Sequence, residues 1–427
     1  MKNSVIRTIA VASLSVGSLL AMTACGGVKA AVYEPGNPVK VGLICLHDSN
    51  STYDANFINA LDEAVKALGS KVEFDKSCLL TGVNEDQACF NAAKDLVKKG
   101  CNVIFADSFG HQSYMLEAAK KWPEVQFCHA TGTNAKTANQ ANYHNAFASI
   151  YQGRFMAGYA AGLKLMVDKA DDIALLNPLK VGYVGAYPYA EVKSGYTSWF
   201  LGLRAAIDES TFSTYDTSKI TMDVQFTNSW YDPDAEAAAA TRLIEGGAVL
   251  ISQHADSMGA PGVCESKKVP NVTYNIETKE QCPNTYLAYS RINWAPYYQA
   301  VVNAVYAGKA IEGEKNANWT GTLATDSVQY NVNWDNLTSD AVALANAKAL
   351  FDAAAKDIKS GARKVFDTST FTVKGAKVTT YQADTDGDFA GDTEVIKTEN
   401  GVSFFDESTQ CSAPYFDLDI DGINIAA

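Results

Sequence analysis

Two loops of this chain carry side chains suited to holding a small planar molecule. The first runs from Asp48 to Leu61 and follows the apolar, strand-like segment 39–46, so a carboxylate and the rings of Tyr53 and Phe57 come directly after a strand. In open α/β sheets, ligands bind beyond the carboxyl ends of the strands, where a carboxylate can accept hydrogen bonds and aromatic rings can stack. We therefore predict a binding site for a flat ligand at this loop.

The residues alone leave the roles of Phe57 and Asp48 open. Phe57 is spaced from Leu61, Val65 and Leu68 like the residues of one helix face, which favours a place in the core. Asp48 can stabilise the loop or cap the helix as readily as it can contact a ligand. Position in the chain does not decide either role.

The second loop, 229–233, lies between a strand predicted at 221–226 and a helix, and it is the counterpart of the first loop. Its Trp230 can pack on that helix, yet one aromatic ring from each loop also suits a flat ring held between them. Asp256 and Asn275 end the next two predicted strands. Polar side chains therefore accumulate at one edge of the predicted sheet.

Four of the five histidines also fall at or just after predicted strand ends, namely His47, His111, His129 and His254. Imidazoles from separate loops can converge on one metal ion. These histidines have no local ligand spacing, so we interpret them as scattered cleft or core residues and predict neither a metal nor a cofactor.

Common catalytic signatures are missing from the chain. It has no Gly-x-Ser-x-Gly elbow, no Gly-x-x-x-x-Gly-Lys phosphate loop, no Gly-x-Gly-x-x-Gly dinucleotide turn and no His-Glu-x-x-His motif. Catalytic groups can also assemble from distant segments, so these absences do not by themselves exclude an enzyme.

The elements that must position these loops follow a repeated pattern. Strands are predicted at 39–46, 71–74, 102–106, 125–129, 180–185, 221–226, 248–252 and 271–274, and helices at 55–68, 85–99, 114–122, 151–167, 194–208, 234–246, 259–267, 296–307 and 339–359. Apolar strands that alternate with amphipathic helices are typical of parallel sheets. Because the pattern starts twice, we predict two α/β lobes with a cleft between them.

The composition supports two globular lobes and excludes some partners. The chain has 427 residues, of which 47% are hydrophobic and 19% are charged, and its formal net charge is −13. Loss of the first 24 residues removes Lys2 and Arg7 and no acidic residue, so the charge becomes −15. A chain this acidic is a poor partner for nucleic acid.

The first 24 residues are predicted to be an export signal. Two basic residues precede an apolar run from Ile9 to Met22, and two small residues then lead to Cys25, as in a lipoprotein cleavage box with a lipidated cysteine. Met22 is unusual in such a box, so an ordinary signal peptide with an incidental Cys25 is the alternative. Since no later segment approaches ~20 apolar residues, the mature protein is expected to be soluble but tethered.

Eight cysteines follow Cys25, and an even number in an exported chain favours disulfides. Cys78 with Cys89, and Cys264 with Cys282, each enclose a polar loop and are the preferred pairs. Buried free thiols are the alternative.

The tail from residue 365 is rich in Thr, Asp and Gly and is predicted to form hairpins. Its segment 384–395 resembles a calcium loop only superficially. An EF-hand needs Gly at the sixth position and Glu at the twelfth, whereas this chain has Phe389 and Val395. We therefore interpret the segment as a solvated acidic turn.

Several ordered blocks between about Val39 and Phe366 resemble the basic membrane protein family of ABC-transporter substrate-binding lipoproteins, which includes purine nucleoside receptors. The blocks are the loop from Asp48 to Phe57-Ile-Asn, His129-Ala-Thr-Gly132, Tyr151-Gln-Gly-Arg154-Phe-Met-Ala-Gly158, Lys180-Val-Gly-Tyr-Val-Gly-Ala186, Thr227-Asn-Ser-Trp230-Tyr-Asp-Pro233, Gln253-His-Ala-Asp-Ser257 and Asn293-Trp-Ala-Pro-Tyr-Tyr298. So many blocks in order are more specific than any one of them.

The resemblance implies a type I periplasmic binding protein fold, an α/β architecture in which two Rossmann-like lobes flank a central ligand cleft and three crossover segments join them. The implied divisions are a lipoprotein signal peptide at 1–24, a tether at 25–38, a first lobe at 39–150 plus about 286–318, a second lobe at 151–285 plus about 319–364, and a C-terminal extension at 365–427. Hinge closure around a small ligand is expected.

The resemblance also implies a set of ligand-binding residues. These are Asp48, Tyr53, Phe57, Ser108, Phe109, Ser113, Trp230, His254, Asp256, Asn275 and Arg291. In purine-binding members of the family the ring lies between aromatics that match Phe57 and Trp230, and a carboxylate that matches Asp48 contacts the base. The resemblance therefore predicts that Phe57 contacts the ligand, whereas spacing alone favours a core position for it.

Three positions depart from the family pattern. Ser113 and Asn275 stand where the family has aspartates that contact the base and hold ribose, and Arg291 stands where nucleoside binders have lysine. The loss of two carboxylates makes a free nucleobase or another flat heterocycle a plausible ligand beside a nucleoside.

We therefore predict an exported, lipid-anchored, monomeric solute-binding protein that faces the periplasm or the cell exterior. It catalyses no reaction and delivers a small planar ligand, a purine base or its nucleoside, to the permease and ATPase of an ABC importer. A ligand-sensing receptor for a membrane signalling protein is the first alternative. A metal-binding lipoprotein and a hydrolase are further alternatives.

Overall fold

A computed structural model describes residues 28–168, 178–210, 215–311, 314–315 and 317–426. The predicted signal peptide, the lipidation residue Cys25 and the first residues of the tether lie outside the described residues.

The elements are numbered in chain order. The strands are β1 (Val39–Ile44), β2 (Val72–Glu73), β3 (Leu79–Leu80), β4 (Val103–Ala106), β5 (Gln126–Ala130), β6 (Tyr143–Ala148), β7 (Leu179–Gly185), β8 (Ile220–Phe226), β9 (Ile251–His254), β10 (Asn271–Tyr274), β11 (Tyr286–Ile292), β12 (Glu314–Lys315), β13 (Asn318–Gly321), β14 (Val328–Val332), β15 (Gln382–Ala383), β16 (Thr393–Glu394), β17 (Ile396–Glu399), β18 (Val402–Phe405) and β19 (Ile423–Ile425). The helices are α1 (Thr52–Leu68), α2 (Gln87–Lys98), α3 (Gln112–Lys121), α4 (Ala135–Ala138), α5 (Ile150–Asp168), α6 (Ala190–Glu209), α7 (Pro233–Glu245), α8 (Gly259–Lys267), α9 (Ala295–Tyr306), α10 (Trp334–Leu337) and α11 (Ala341–Ser360). The predicted strands and helices are all present, with ends that differ by a few residues.

Two predominantly parallel sheets form the two lobes. The first has the order β12-β13-β6-β5-β4-β1-β2, with β3 also paired to β1, and the second has the order β14-β11-β10-β9-β7-β8-β19. Within them only the β12–β13 and β11–β14 pairs of the described strands are antiparallel. The predicted α/β fold with two Rossmann-like lobes is confirmed.

Helix starts fix where the loops after the strands end. The Ser51 side chain caps α1 by accepting a hydrogen bond from the amide of Asp54 at 3.2 Å, so this helix begins three residues before the predicted start. Helix α6 begins at Ala190, four residues before its predicted start, and no side chain of Tyr189 caps it. Both helices therefore begin closer to their preceding strands than predicted.

Three connections pass between the sheets: β6 to α5, β11 to α9, and β13 to β14. The segment 286–292, which was assigned to the first lobe, forms β11 and pairs with β10 and β14 of the second sheet. The return to the first lobe thus begins after Ile292, because β11 is paired on both sides within the second sheet and the next element, α9, packs on α1.

Helices α5 and α6 pack with almost no space between their backbones. A Cβ atom at Gly158 would lie 1.9 Å from the carbonyl oxygen of Trp199, and one at Gly202 would lie 2.0 Å from the carbonyl oxygen of Phe155. Only glycine permits this approach, since any larger residue would push the two helices apart.

The C-terminal extension contacts both lobes. Strand β19 pairs in parallel with β8 of the second sheet, and Lys193 of α6 forms ion pairs of 2.7 and 2.9 Å with Asp417 and Asp419. On the other side, the backbone amide and the hydroxyl of Ser412 donate to Asn318 Oδ1 of the first sheet at 3.2 and 2.9 Å. The extension is therefore a packed part of the fold.

The cysteines correct the predicted pairing. In the described chain Cys78, Cys89, Cys264 and Cys282 are buried free thiols, so neither Cys78 and Cys89 nor Cys264 and Cys282 are joined. The neighbour of Cys78 is Cys101, with 3.7 Å between the sulfur atoms. Enclosure of a polar loop is therefore not sufficient to identify a pair, because the packing of distant segments decides which side chains meet.

Within the described residues, no helix combines the length and apolar character needed to cross a membrane.

The glycine contact between α5 and α6 gives a stability prediction. Gly158→Ala should destabilise the protein by about 1–3 kcal/mol or more, because the added methyl group has no space to occupy. Gly262→Ala in α8 is the matched control, since a Cβ atom there meets nothing within 4 Å. The higher helix propensity of alanine should increase the stability of this variant by as much as about 1 kcal/mol. Urea denaturation of both variants measures the difference, and equal effects would contradict the packing argument.

Candidate functional site

A cavity with about 390 Å³ of empty space, part of it open to solvent, lies between the carboxyl ends of the two sheets. From the first lobe it is lined by Leu46, His47, Tyr53, Asp54, Ser108, Phe109 and Thr131, and from the second lobe by Glu191, Trp230, His254, Asp256 and Tyr274. These residues follow strands β1, β4, β5, β7, β8 and β9 or end β10.

The first-lobe wall is held by hydrogen bonds to its own backbone. The Tyr53 hydroxyl donates to the carbonyl of Asp107 at 2.7 Å, and the Ser108 hydroxyl donates to Glu85 at 2.5 Å. A ring nitrogen of His129 lies 2.6 Å from the carbonyl of Ser108. The ring and hydroxyl groups that face the cavity are therefore fixed before a ligand arrives.

The second-lobe wall is a group of aromatic rings. The centroids of Tyr187 and Tyr189 lie 5.1 and 6.0 Å from that of Trp230, and Tyr189 also lies 5.9 Å from Phe109 of the first lobe. Deeper in the wall, the guanidinium of Arg154 lies 3.4 Å from the centroid of Tyr274. Both sides of the cavity thus present aromatic surface on which a planar ring can stack.

The two lobes touch each other across the cavity. The backbone amide of Thr52, the first residue of α1, donates to the carbonyl of Asp256 in the second lobe at 2.8 Å. The rings of His47 and Tyr231 lie 5.5 Å apart across the same gap. Residues from both lobes can therefore contact one small ligand at the same time.

A buried pair of carboxylates lies beneath the first-lobe wall. Asp54 accepts hydrogen bonds from the amide of His47 at 2.8 Å and from the hydroxyl of Ser51 at 2.6 Å, and these bonds lower its pKa although burial opposes them. Burial raises the pKa of Asp107 well above its usual range, and the neighbouring charge of Asp54 adds to the effect. The pair therefore favours a single negative charge, which Asp54 carries.

The second lobe carries two more carboxylates and one buried cation. Burial raises the pKa of Glu191 to about 7 and raises that of Asp256 well above its usual range, while the charge of Arg154 opposes both shifts. Burial and the charge of Arg154 lower the pKa of His254 well below its usual value, so this imidazole is neutral at pH 7. The residues that line the cavity, all in the described chain, include no lysine or arginine.

The cavity brings together a subset of the predicted ligand-binding residues. Those in its lining are Tyr53, Ser108, Phe109, Trp230, His254 and Asp256. They come from both lobes and from four loops, so the prediction that strand ends converge on one cleft agrees with their positions.

Five predicted residues lie outside this lining. Asp48 is exposed, and its Oδ1 accepts a hydrogen bond from the backbone amide of Asn50 at 2.9 Å. Ser113 is exposed on α3. Arg291 donates to Gln329 on the neighbouring strand at 2.9 Å. Asn275, which is buried, donates to Asp256 Oδ1 at 3.3 Å and so supports a lining residue from behind.

Phe57 lies behind the cavity wall. Its side chain is 2% exposed and its ring stacks on Trp294 at 4.3 Å, with Tyr53 in front of it at 4.9 Å. The spacing of Phe57 along one face of α1 indicated this core position, whereas the family resemblance placed it against the ligand. In this structure Tyr53 is the aromatic residue of the loop that faces the cavity.

Sequence reasoning missed several lining residues, namely Leu46, Asp54, Thr131, Glu191 and Tyr274. Asp54 had a detectable signal, because Ser51-x-x-Asp54 is a capping arrangement that places the carboxylate at the helix start. Glu191 had none, since the helix was predicted to begin at Ser194 and this residue fell in an unassigned loop.

The strand-end histidines do not gather at one point. His111 and His129 contact the carbonyls of Val83 and Ser108, while His47 and His254 line the cavity. In the described chain, two groups of metal-binding residue types have ligand atoms within 4.8 Å of one another, Cys45 with Asp54 and Asp107, and Asp384 with Asp386 and Asp388, and neither includes a histidine.

Comparison with known proteins identifies the family. The Bmp family, described as ABC transporter substrate-binding protein PnrA-like, matches residues 41–356. A purine-binding protein of Brucella abortus (strain 2308) is 32% identical over 273 residues, which cover 63% of this chain and 69% of that protein. A protein of Haloferax volcanii, TsgA13, is 30% identical over 220 residues, which cover 52% of this chain and 49% of that protein. Its name describes it as an ABC transporter glucose-binding protein.

Solved structures support the fold. A solute-binding protein of an ABC transporter system from Conexibacter woesei aligns with a TM-score of 0.56 at 18% identity, over 76% of this chain and 98% of that one. Another from Aeropyrum pernix K1 aligns with a TM-score of 0.58 at 12% identity, over 77% and 93%.

The carboxylate pair beneath the cavity gives a prediction about pH. A carboxyl group with a raised pKa in the folded state contributes stability below its unfolded-state pKa of about 3.9, and this contribution is lost as pH rises toward the folded-state pKa. Asp107→Asn keeps a donor toward Asp54 without the titration, so its stability relative to wild type should increase as pH rises from 4 to 8, by up to about 1.4 kcal/mol per pH unit within that window. Urea denaturation at several pH values measures the difference.

Asp75→Asn is the control with the opposite sign. Hydrogen bonds from Ser77 lower the pKa of this exposed carboxyl, so its contribution is present above pH 4 and is lost in acid. If Asp107→Asn and Asp75→Asn changed the pH dependence of the free energy of unfolding in the same direction, the assignment of the shared charge to Asp54 would be wrong.

Proposed function

This chain belongs to the Bmp family of PnrA-like ABC transporter substrate-binding proteins, and from that premise we propose that it captures a purine base or a purine nucleoside for import. The family is one of solute-binding proteins and not of enzymes, and its members act outside the cytoplasm. The proposal adds the ligand, the closing mechanism and the transport partners.

The observation that carries the ligand proposal is the pairing of aromatic and acidic groups in one closed cavity. Tyr53 and Phe109 on the first lobe face Trp230 and Tyr274 on the second, and the carboxylates of Asp54 and of the second lobe lie among them. Aromatic surfaces favour a planar ring, and carboxylates accept its N–H groups. The 32% identity to a purine-binding protein supports the same ligand class.

The proposed mechanism is a hinge with an open and a closed form. In the open form the ligand meets one wall, and the closed form adds the other wall through contacts such as that between Thr52 and Asp256. A ligand that touches both walls binds the closed form more tightly, so it shifts the population toward closure. The closed form is the one that an ABC permease and its ATPase would recognise.

The proposed setting is a monomer tethered to the outer face of a membrane by lipid on Cys25. The basic and apolar residues before this cysteine support export and anchoring. The tether would keep the protein close to its permease.

A thermal-shift screen tests the ligand proposal. We expect purine bases or nucleosides to raise the melting temperature, since a ligand at 100 times its Kd adds about 2.7 kcal/mol to the stability of the native state. Glucose belongs in the panel because one relative bears the name of a glucose-binding protein. Trp230→Ala should then weaken the purine hit by about 2 kcal/mol, or roughly thirtyfold in Kd by calorimetry.

Trp334→Ala is the matched control for that variant. Trp334 packs on Phe351, outside the cavity lining, so its loss should reduce stability without changing ligand affinity. A response confined to sugars, or purine binding that survives Trp230→Ala unchanged, would overturn the proposed ligand site.

The contact between the lobes gives a separate prediction. Thr52→Pro removes the backbone N–H that donates a hydrogen bond to the carbonyl of Asp256, because the proline nitrogen carries a ring carbon in place of the hydrogen. Proline is tolerated as the first residue of a helix, and the preceding Ser51 has the extended conformation that proline requires (ψ 128°). Affinity should fall about fivefold or more, and the radius of gyration of the ligand-free protein should increase in small-angle scattering.

Ala341→Pro at the first residue of α11 is the control, since the preceding Asp340 is also extended (ψ 114°). It should change neither the affinity nor the radius of gyration. Unchanged scattering and affinity for Thr52→Pro would show that the hydrogen bond does not contribute to closure.

A further inference from the structure

We propose that Glu191 determines the specificity of the cavity by selecting flat rings that present an exocyclic amino group to the second lobe. This inference rests on the proposed function, because it concerns the same cavity and narrows the class of ring that it accepts.

Glu191 is positioned to meet a ligand. It lies in the first turn of α6, lines the cavity, and its side chain is 14% exposed. Within the described residues its carboxylate accepts no hydrogen bond, and its nearest charged or imidazole neighbour is His254, with 3.5 Å between Oε1 and Nε2. Neither nitrogen of His254 has a hydrogen-bond partner among the described residues.

The other acidic groups of the lining already have donors. Asp54 accepts hydrogen bonds from the His47 amide and the Ser51 hydroxyl, and Asp256 accepts one from the Asn275 side chain. A buried carboxylate without a donor is costly, whereas one that gains a donor from a ligand is stabilised. Glu191 is thus the lining carboxylate that depends on the ligand for its hydrogen bond.

Arg154 determines the charge that surrounds Glu191. This arginine is 0% exposed and makes one hydrogen bond, from Nη1 to the carbonyl of Gln253 at 2.9 Å, while its Nε and Nη2 have no partner in the described chain. Burial raises the pKa of Glu191 to about 7 and the positive charge of Arg154 opposes that shift, so the ionised form of Glu191, which accepts hydrogen bonds, predominates above about pH 7.

The ligand class follows from this arrangement. A ring with an exocyclic amino group on the matching edge can donate to Glu191, whereas a carbonyl or a bare ring nitrogen there would face an ionised carboxylate with no proton between them. The lining residues, all within the described chain, include no lysine or arginine that could hold a phosphate. Amino-substituted bases are therefore favoured over unsubstituted rings and over nucleotides.

A series of purines that differ only in amino groups tests the inference. Calorimetry would compare purine, adenine, 2-aminopurine and 2,6-diaminopurine on the wild-type protein and on Glu191→Gln. In the wild type we expect the best amino-substituted ring to bind about ten to a hundred times more tightly than purine, as for a hydrogen bond to a charged group. In Glu191→Gln the ratio should fall to within about threefold.

Glu209→Gln, at the other end of the same helix, is the matched control. Glu209 pairs with Arg363 outside the cavity lining, so this variant should keep the wild-type ratio. If the wild type binds no purine, the proposed function fails. If the wild type binds purines and Glu191→Gln keeps the full preference for amino groups, the role of Glu191 fails while the proposed function stands.

The pH dependence of affinity gives a readout that a merely structural role would not change. Several titratable or charged groups interact electrostatically with Glu191. They are Arg154 on α5, His254 and Asp256 at the end of β9, Tyr53 on α1, Tyr183 on β7 and Tyr274 on β10. A donor on the ligand binds the ionised carboxylate, so wild-type affinity for adenine should rise as pH increases from 6 to 8. The rise should be weaker in Glu191→Gln, and an identical rise would overturn the assignment.

Discussion

The hydrogen bond from the Thr52 amide to the Asp256 carbonyl is the contact on which the site depends. It joins the start of α1 to the end of β9, and each of these elements also supplies a side chain to the cavity. If the lobes separate, the lining divides into two open surfaces, neither of which encloses a ligand. The proposed binding site is therefore a property of the closed arrangement and not of either lobe.

Charge is the second constraint on the site. Carboxylates from both lobes converge on a cavity whose nearest buried cation, Arg154, lies in the wall beneath Tyr274. Bringing the lobes together concentrates these negative groups, which opposes closure unless protons or ligand donors reduce their repulsion. Under the proposed hinge mechanism, an acid-rich cleft would couple ligand chemistry to lobe closure.

Much of the fold could be predicted from the sequence, because apolar runs and helical periodicity report local burial. The assignment of β11 failed because its sheet depends on pairing with β10 and β14, which no local pattern records. The direction in which a side chain points was harder to predict from the sequence. Phe57 and Tyr53 lie four residues apart on one helix. The stacking of Phe57 on Trp294 and the hydrogen bond from Tyr53 to the carbonyl of Asp107 distinguish the buried ring from the one that lines the cavity.

Strand β19 has a consequence for the order of folding. It completes the second sheet beside β8, and Asn424 and Asp223 of this pair are 201 residues apart in the chain. A chain that emerges from its amino terminus exposes β8 as an open edge until its last residues are free, and such an edge can pair with another chain. Long-range closure of this kind is slow, so the edge of β8 remains open to such pairing until β19 reaches it.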